Sequence, residues 1–451
     1  MRERVLKWPV PGRVDAEAAF ATLCGNQPRA FWLDSSGEPV GGGARSSYLG
    51  VARSAVTSVD LAAQGVGVLD WIRRERASWD VDASTAPRGF ALGLVGWLGY
   101  ELRTETLGVP ARHARRYPDA AFLRADRCLA IDDTTGEATL LARGVDWDGE
   151  LAEWRDATLD ALATPTRLAP APPPGDVPSA AWRYSDEAYL GMIRACKAAI
   201  EDGDAYQLCL TTEASVDGAF DPFDVYRRLR ASSPSHHGAY LRIDDVALLS
   251  ASPEQFLALD RDGWVTTKPI KGTRPRAADP VEDARLREEL RSSDKERAEN
   301  LMIVDLMRND LSRVCELGTV EVSSLLAVES YQHVHQLVST IRGRLAAGLD
   351  AVDAIRACFP AGSMTGAPKR SAIEILDRLE GRSRGVYSGA FGYLGLDGAV
   401  DLAMTIRSIV IDDRGATIGT GGGITALSDP DEELEETRVK ARALLAALGV
   451  G

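Results

Sequence analysis

Residues 268–276 read KPIKGTRPR, four cations in nine residues with two prolines and a glycine among them. The prolines and glycine predict a stiff turn, and a rigid loop holding cations suits an anionic ligand. A solvated basic turn accounts for the same run. A lysine in so cationic and walled a setting loses its proton more readily and can serve as nucleophile or base. Two ExxE motifs follow, Glu296/Glu299 and Glu433/Glu436, each inside a segment with helical periodicity. Residues three apart share a helix face, so two such faces opposed would present four carboxylates to one hard cation. Magnesium prefers oxygen ligands and keeps waters beside one or two carboxylates. Ordinary surface charge is the rival reading in a chain with 66 acids, and Glu436 with Lys440 also has the spacing of a surface ion pair. Residues 419–425, GTGGGIT, come shortly before the last predicted helix. Successive glycines let backbone N–H groups turn toward one point and cradle a carboxylate or phosphate; a flexible loop is the alternative.

Other chemistries are excluded. Residues 361–369, AGSMTGAPK, faintly resemble a phosphate loop, but no G-K-[ST] follows at the required spacing. His333 and His335 alternate on a predicted strand, a pattern more typical of packed histidines than of metal ligands. There is no G-x-S-x-G elbow and no Cys/His nucleophile signature. The 451 residues carry 52 Lys+Arg against 66 Asp+Glu, a net charge of -14. That balance argues against nucleic acid or an anionic membrane as partner, since both need a cationic surface. The six cysteines form no C-x-x-C pair, as expected of reduced thiols in the cytoplasm. The first residues, MRERVLKWPVPGRVDAE, hold no apolar core of signal-peptide length, and no run of about 18 apolar residues predicts a membrane span.

The elements that must position these groups fall on either side of a Pro- and Ala-rich stretch at 164–180, TPTRLAPAPPPGDVPSA, which reads as an exposed linker. It divides the chain into a strand-rich part, 1–163, and a part bearing all the chemistry, 181–451. The first part predicts strands at 30–33 and 89–98, a hairpin from 128–132 to 138–142, and helices near 16–24, 61–75 and 151–162. In the second part 185–201 is an amphipathic helix with Ser185 as N-cap, and 206–212, 246–250, 256–259 and 332–342 are strands. Residues 285–291, 295–307, 351–358 and 367–379 predict helices, and 391–396, 402–411 and 417–419 predict strands. Asp429 caps a last helix that ends at Gly449. Runs of strands with interspersed helices point to an α/β (α+β) fold with mixed or antiparallel sheets, not strict βαβ winding.

Taken together, these segments resemble the chorismate-utilising enzymes. The resemblance rests on YQLCLT at Tyr206, SPEQF at Ser252, PIKGTRPR at Pro269, AENLMIVDLMRNDLSRV at Ala298 and HQLVSTIRG at His335. It continues through FPAGSMTGAPK at Phe359, YSGAFGYL at Tyr387, TIRS at Thr405, GTGGGI at Gly419 and EELEETRVKA at Glu432, in the same order and spacing. Before the linker it is carried by WLDSS at Trp32 and GWLGYEL at Gly96. The resemblance implies a large sandwich of two facing antiparallel sheets flanked by helices, with a deep cleft for chorismate and Mg2+. It implies Glu299 and Glu436 as direct magnesium ligands, with Glu296 and Glu433 acting nearby through water. It implies Thr273, Tyr387, Arg407, Lys440 and the Gly421, Gly422 and Gly423 backbone as contacts for the substrate carboxylates. Glu254 resembles the general acid that protonates the leaving C4 hydroxyl, and burial should raise its pKa.

Lys271 discriminates within the family. The anthranilate-forming members typically carry PIAGT, whereas those that form 4-amino-4-deoxychorismate, for p-aminobenzoate and folate, carry PIKGT as here. In the latter the lysine attacks C2 of chorismate, and ammonia then adds at C4 and regenerates it. Gln207 stands where the isochorismate- and salicylate-forming members have a lysine base for water, so those reactions are not expected. WLDSS replaces the LLES-like segment of tryptophan-sensitive members. The absence of a G-x-C-x-G elbow leaves the ammonia to come free or from a separate glutamine amidotransferase subunit. Many relatives place a histidine directly before Leu-Val-Ser; here Gln336 is in that place and His335 one earlier, so the role is not carried over. Anthranilate formation is the alternative expectation, and a non-catalytic chorismate-binding paralogue the remote one.

Overall fold

The computed structural model describes residues 2–35, 45–172 and 179–450. Ser36 of the WLDSS stretch and residues 173–178 of the Pro-rich segment lie outside the described residues. Two sheets form the frame, one of 13 strands and one of 10. Among the described residues one pairing, Glu3–Val10 with Val81–Asp82, is parallel and the rest are antiparallel. In each sheet the strands from before the Pro-rich segment form one block and those from after it another, joined at a single seam. Arg29–Asp34 pairs with His237–Ile243 in the larger sheet, and Gly93–Leu98 pairs with Ala390–Gly395 in the smaller. The described residues 164–172 run along the surface, where Arg227 and Arg228 donate to the carbonyls of Ala169 and Pro172.

Strand alternation explains the layering. In Gly93–Leu98, Val95 and Trp97 face the other sheet, while Leu94 and Leu98 face helices. The space between the sheets is filled by Phe31, Phe90, Trp97, Leu241, Leu248, Phe391 and Val410. Helices Ala16–Leu23, Pro222–Ser232 and Pro430–Leu448 cover the outer face of the larger sheet over Trp32, Tyr240, Leu249 and Ile418. Helices Val68–Ala77, Asp294–Ser312 and Ala351–Cys358 cover the smaller sheet over Leu94, Phe122, Val265 and Leu402. The fold is therefore the two-sheet antiparallel sandwich flanked by helices. The six cysteines are buried and unpaired. Among the described residues no helix is long and apolar enough to cross a membrane.

Several expectations change. The apolar run 402–411 is not one strand but two, Val400–Met404 in the smaller sheet and Ser408–Asp412 in the larger. The chain changes sheets between them, and Arg407 takes a left-handed φ of 51°. A period-2 apolar pattern carries no mark of such a bend, because both halves are buried. The basic segment is no free turn: Ile270–Pro275 is a strand on Val334–Arg344, with a register shift that puts Gly272 at φ 82°. A Cβ at Gly272 would lie 2.9 Å from the Glu296 carboxylate, so glycine alone lets the two approach. The glycine-rich stretch is strand as well, within Gly415–Ile424. The helix expected at 61–75 is two, Ser58–Ala63 and Val68–Ala77, parted at Gly65 and its φ of 68°.

Lys369 of AGSMTGAPK holds no exposed phosphate loop. Its ammonium is buried against Asp310 at 2.6 Å and donates to the Cys358 carbonyl at 2.9 Å, tying helix Lys369–Glu380 to helices Asp294–Ser312 and Ala351–Cys358. Removing one partner of a buried ion pair strands the other charge. Asp310→Ala should lower unfolding free energy in urea by about 3–5 kcal/mol, whereas breaking an exposed, solvent-screened pair such as Arg285–Glu282 should leave it nearly unchanged.

Candidate active site

Two adjacent crossings build the site. Strand Val246–Ser252 belongs to the larger sheet and Gln255–Leu259 to the smaller, so the chain crosses at Pro253 and Glu254. The second crossing, at Thr405–Arg407, lies beside it. Met404 donates its N–H to the Glu254 carbonyl at 2.9 Å, and Ala251 donates to the Arg407 carbonyl at 3.0 Å. Both side chains thereby reach one cavity of about 410 Å3. The strands Ile270–Pro275 and Gly415–Ile424 and the helices Asp294–Ser312 and Pro430–Leu448 complete its walls.

The cavity gathers Glu254, Lys271, Thr273, Glu296, Glu299, Tyr387, Arg407, Gly421, Gly422, Gly423, Glu433, Glu436 and Lys440. Gln207 stands directly behind it: a Cβ at Gly423 would overlap the Gln207 amide and lie 3.4 Å from Lys271 Nζ. Gln207 is fully buried, and neither of its amide atoms has a hydrogen-bond partner among the described residues. Thr211 donates its N–H to Glu380 and Cys209 donates to Thr365, both on the far edge of strand Gln207–Asp217. Their pairs with Gly421 and Gly423 are thus non-hydrogen-bonded ones, and the N–H groups of those two glycines face the cavity. Gly422, between them, turns its N–H to the neighbouring strand. Its missing side chain instead makes room for Glu433, whose carboxylate would lie 2.8 Å from a Cβ there. The expected cradle of three successive N–H groups is therefore replaced by alternate ones, because the segment is extended.

The four glutamates each face a cation. Arg274 reaches Glu296 at 3.6 Å, Lys271 reaches Glu299 at 4.0 Å, Lys295 reaches Glu433 at 3.1 Å and Lys440 reaches Glu436 at 2.7 Å. Among the described residues they are not drawn into a cluster that would already hold a metal. Burial holds the Glu299 carboxyl above its ordinary pKa, while Lys440 keeps that of Glu436 low against its own burial. Two buried and two more open carboxylates of hard oxygen character, balanced here by basic side chains, are a donor set that fits a divalent cation such as magnesium.

Glu254 is buried, and burial pushes its pKa up to about 7, against the Ser363 hydroxyl, the Lys271 charge and the Ile270 N–H. Lys271 departs from expectation. Burial works to remove its proton, but Glu299 and the other negative groups around it outweigh burial and raise its pKa. Of the four cations in its segment, Lys271 and Arg274 line the cavity, while Arg276 turns away to Asp283. Arg407 is half-buried, and its partial burial lowers its pKa; it donates to the Lys440 carbonyl at 3.2 Å and forms no ion pair among the described residues. It is left to meet an incoming anion.

The structure adds residues that pattern reading missed. Lys295, Ser363 and Met364 line the cavity beside Gln336, which the sequence had already singled out. Lys295 directly precedes the first ExxE glutamate, a position that could have drawn notice. Ser363 comes from the short turn Gly362–Met364, whose sequence signals nothing beyond a bend. His335 points away from the cavity, bonded to Asp283 and Ser330, while Gln336 faces in; His333 lies outside the strand.

The profile of a family described as chorismate binding enzyme matches residues 30–446. An aminodeoxychorismate synthase from Streptomyces pristinaespiralis is 45% identical over 96% of this chain, which spans 64% of that relative's length. An anthranilate synthase component 1 from Streptomyces coelicolor is 39% identical over 96% of this chain and 86% of its own. The solved anthranilate synthase component I of Streptococcus pneumoniae TIGR4 superposes with a TM-score of 0.74 at 27% identity, covering 98% of this chain and 92% of its own. By matched length, by identity and by the sandwich they share, the chain belongs to the chorismate binding enzyme family.

Proposed function

We propose that the chain converts chorismate and ammonia to 4-amino-4-deoxychorismate and water. The observation that carries this reading is Lys271, whose ammonium lies inside the cavity between Glu299 and Glu254 and beside the Gln207 amide. The relatives at 45% and 44% identity, both named aminodeoxychorismate synthase, support it. Because the chain spans 64% of their length, their whole activity is carried over as a proposal.

Each residue then has a task. Arg407 and Lys440, with the N–H groups of Gly421 and Gly423, Thr273 and Tyr387, bind and orient the substrate carboxylates. Glu299 and Glu436 would hold magnesium directly, with Glu296 and Glu433 nearby through water. When bound, the cation neutralises the ring carboxylate and supports departure of the C4 oxygen. Glu254, protonated near neutral pH, delivers its proton to the C4 hydroxyl, which leaves as water. Lys271, once it has released its proton to solvent, forms a bond to C2 as the C4–O bond breaks and the ring double bonds shift. Ammonia then bonds to C4, the Lys271–C2 bond breaks, and the lysine is restored. Gln207, which cannot act as a base, leaves water unactivated at C2. A glutamine amidotransferase is the proposed source of ammonia.

The purified chain with chorismate, Mg2+ and ammonium should yield aminodeoxychorismate by mass and no fluorescent anthranilate. The reverse product would establish the anthranilate reaction instead. Lys271→Ala should cut ammonia-dependent turnover about a hundredfold or more while chorismate still binds; unchanged turnover would remove the covalent role. Glu254 donates only while protonated, so kcat should fall as pH rises through about 7. Glu254→Gln should lower kcat by about 10²–10⁴ and abolish that limb.

A further inference from the structure

A second cavity, of about 500 Å3, backs onto the catalytic one. Tyr387 and Gly419 line both, so the tyrosine ring seated over the glycine is the partition between them. Four arginines reach this second cavity: Arg116, Arg183, Arg382 and Arg384. Two are already committed. Asp412 holds Arg116 through both carboxylate oxygens, and Glu380 holds Arg384 in the same way.

Arg382 is placed differently. Its side chain is 5% exposed, and Glu213, the carboxylate that faces it, is 3.9 Å away. Its Nη atoms donate to the Ser383 carbonyl and the Thr211 hydroxyl, while Nε has no partner among the described residues. Arg183 is exposed on the same cavity, forms no ion pair among the described residues, and has its backbone N–H fixed to the Glu213 carbonyl at 2.9 Å. Glu213 thus stands alone against two guanidinium groups. The Thr405 hydroxyl, also on this cavity, is buried without a partner among the described residues.

We propose that this cavity binds a small, singly charged oxyanion, through a carboxylate or phosphate group, at Arg382 and Arg183. The charge count sets the class, since two cations less one carboxylate leave room for one negative charge. A guanidinium presents parallel donors that match two oxygens of such a group. Each Arg382 Nη carries a second N–H beyond the bonds to Ser383 and Thr211, and an oxyanion in the cavity can take these without displacing any bond the site already makes. The site is separate from the reaction proposed above and needs none of its residues except the shared wall.

The test is calorimetric titration of the full chain at about pH 6, where inorganic phosphate is mainly the monoanion, with phosphate and separately with acetate, at constant ionic strength in chloride. Saturable binding of either, at one site per chain, is expected, and the tighter of the two names the group. Arg183→Gln, at an exposed position where folding is not at stake, should weaken binding about tenfold or more. Arg382→Met should abolish it, with circular dichroism reporting the fold; should that variant unfold, Arg183→Gln decides alone. Arg407→Gln, in the catalytic cavity, should leave binding within about twofold. An absence of saturable heat, binding that survives Arg183→Gln, or binding lost in Arg407→Gln overturns the proposal.

Discussion

The candidate active-site cavity depends on a two-stranded ribbon that passes from one sheet into the other. Its two halves, Val246–Ser252 beside Ser408–Asp412 and Gln255–Leu259 beside Val400–Met404, are ordinary antiparallel pairs. Between them both chains bend together, and backbone hydrogen bonds from Met404 to Glu254 and from Ala251 to Arg407 hold the bends in register. Each bend is short, and its polar backbone is satisfied in part by the other bend and in part by Ser388 and Gly389, which bond the Thr405 carbonyl and N–H. A buried crossing without such a partner would strand N–H and C=O groups away from water. The acid Glu254 and the cation Arg407 are thus delivered to the same cavity by one structural device.

Charge then distributes unevenly around that device. The chain carries -14 in all, yet the cavity interleaves glutamates with Arg274, Lys271, Lys295 and Lys440. Arg407, half-buried with no carboxylate bonded to it among the described residues, adds a positive charge to the wall. A dianionic ligand and a divalent cation could both be taken up with little net change in charge. Such matching matters in a low-dielectric cavity, where an unbalanced charge is expensive. It also explains why Lys271 keeps its proton in the arrangement seen here: the nearby carboxylates stabilise the ammonium more than burial penalises it.

Small residues carry much of the remaining precision. Gly272 lets the bulged basic strand meet Glu296, Gly419 admits the Tyr387 ring, Gly422 admits Glu433 and Gly423 admits Gln207. In the sequence these glycines read as turn or loop signals. In the fold they are strand positions stripped of side chains so that other groups can occupy the space. The same misreading made KPIKGTRPR a turn, because prolines and glycine end regular structure in isolation. Here a register shift and an edge position accommodate them.

From the sequence alone the family, the candidate site residues and most of the elements were legible. The ExxE spacing, the capped last helix, the amphipathic helix after Ser185 and the lysine of PIKGT are local features, and local features are encoded by neighbouring residues. Recognition of the family rested on ordered motifs of that kind. What only the tertiary structure decided were the relations between distant segments. These include the split of 402–411 across two sheets, the choice of Gln336 over His335 as the cavity residue, and the pairing of each glutamate with its own cation. They include also the burial of Lys369 on Asp310 and of Arg382 beside a second cavity. A hydrophobic pattern states that a segment is buried; it does not state which sheet buries it. That is settled by packing and hydrogen-bond satisfaction among strands hundreds of residues apart.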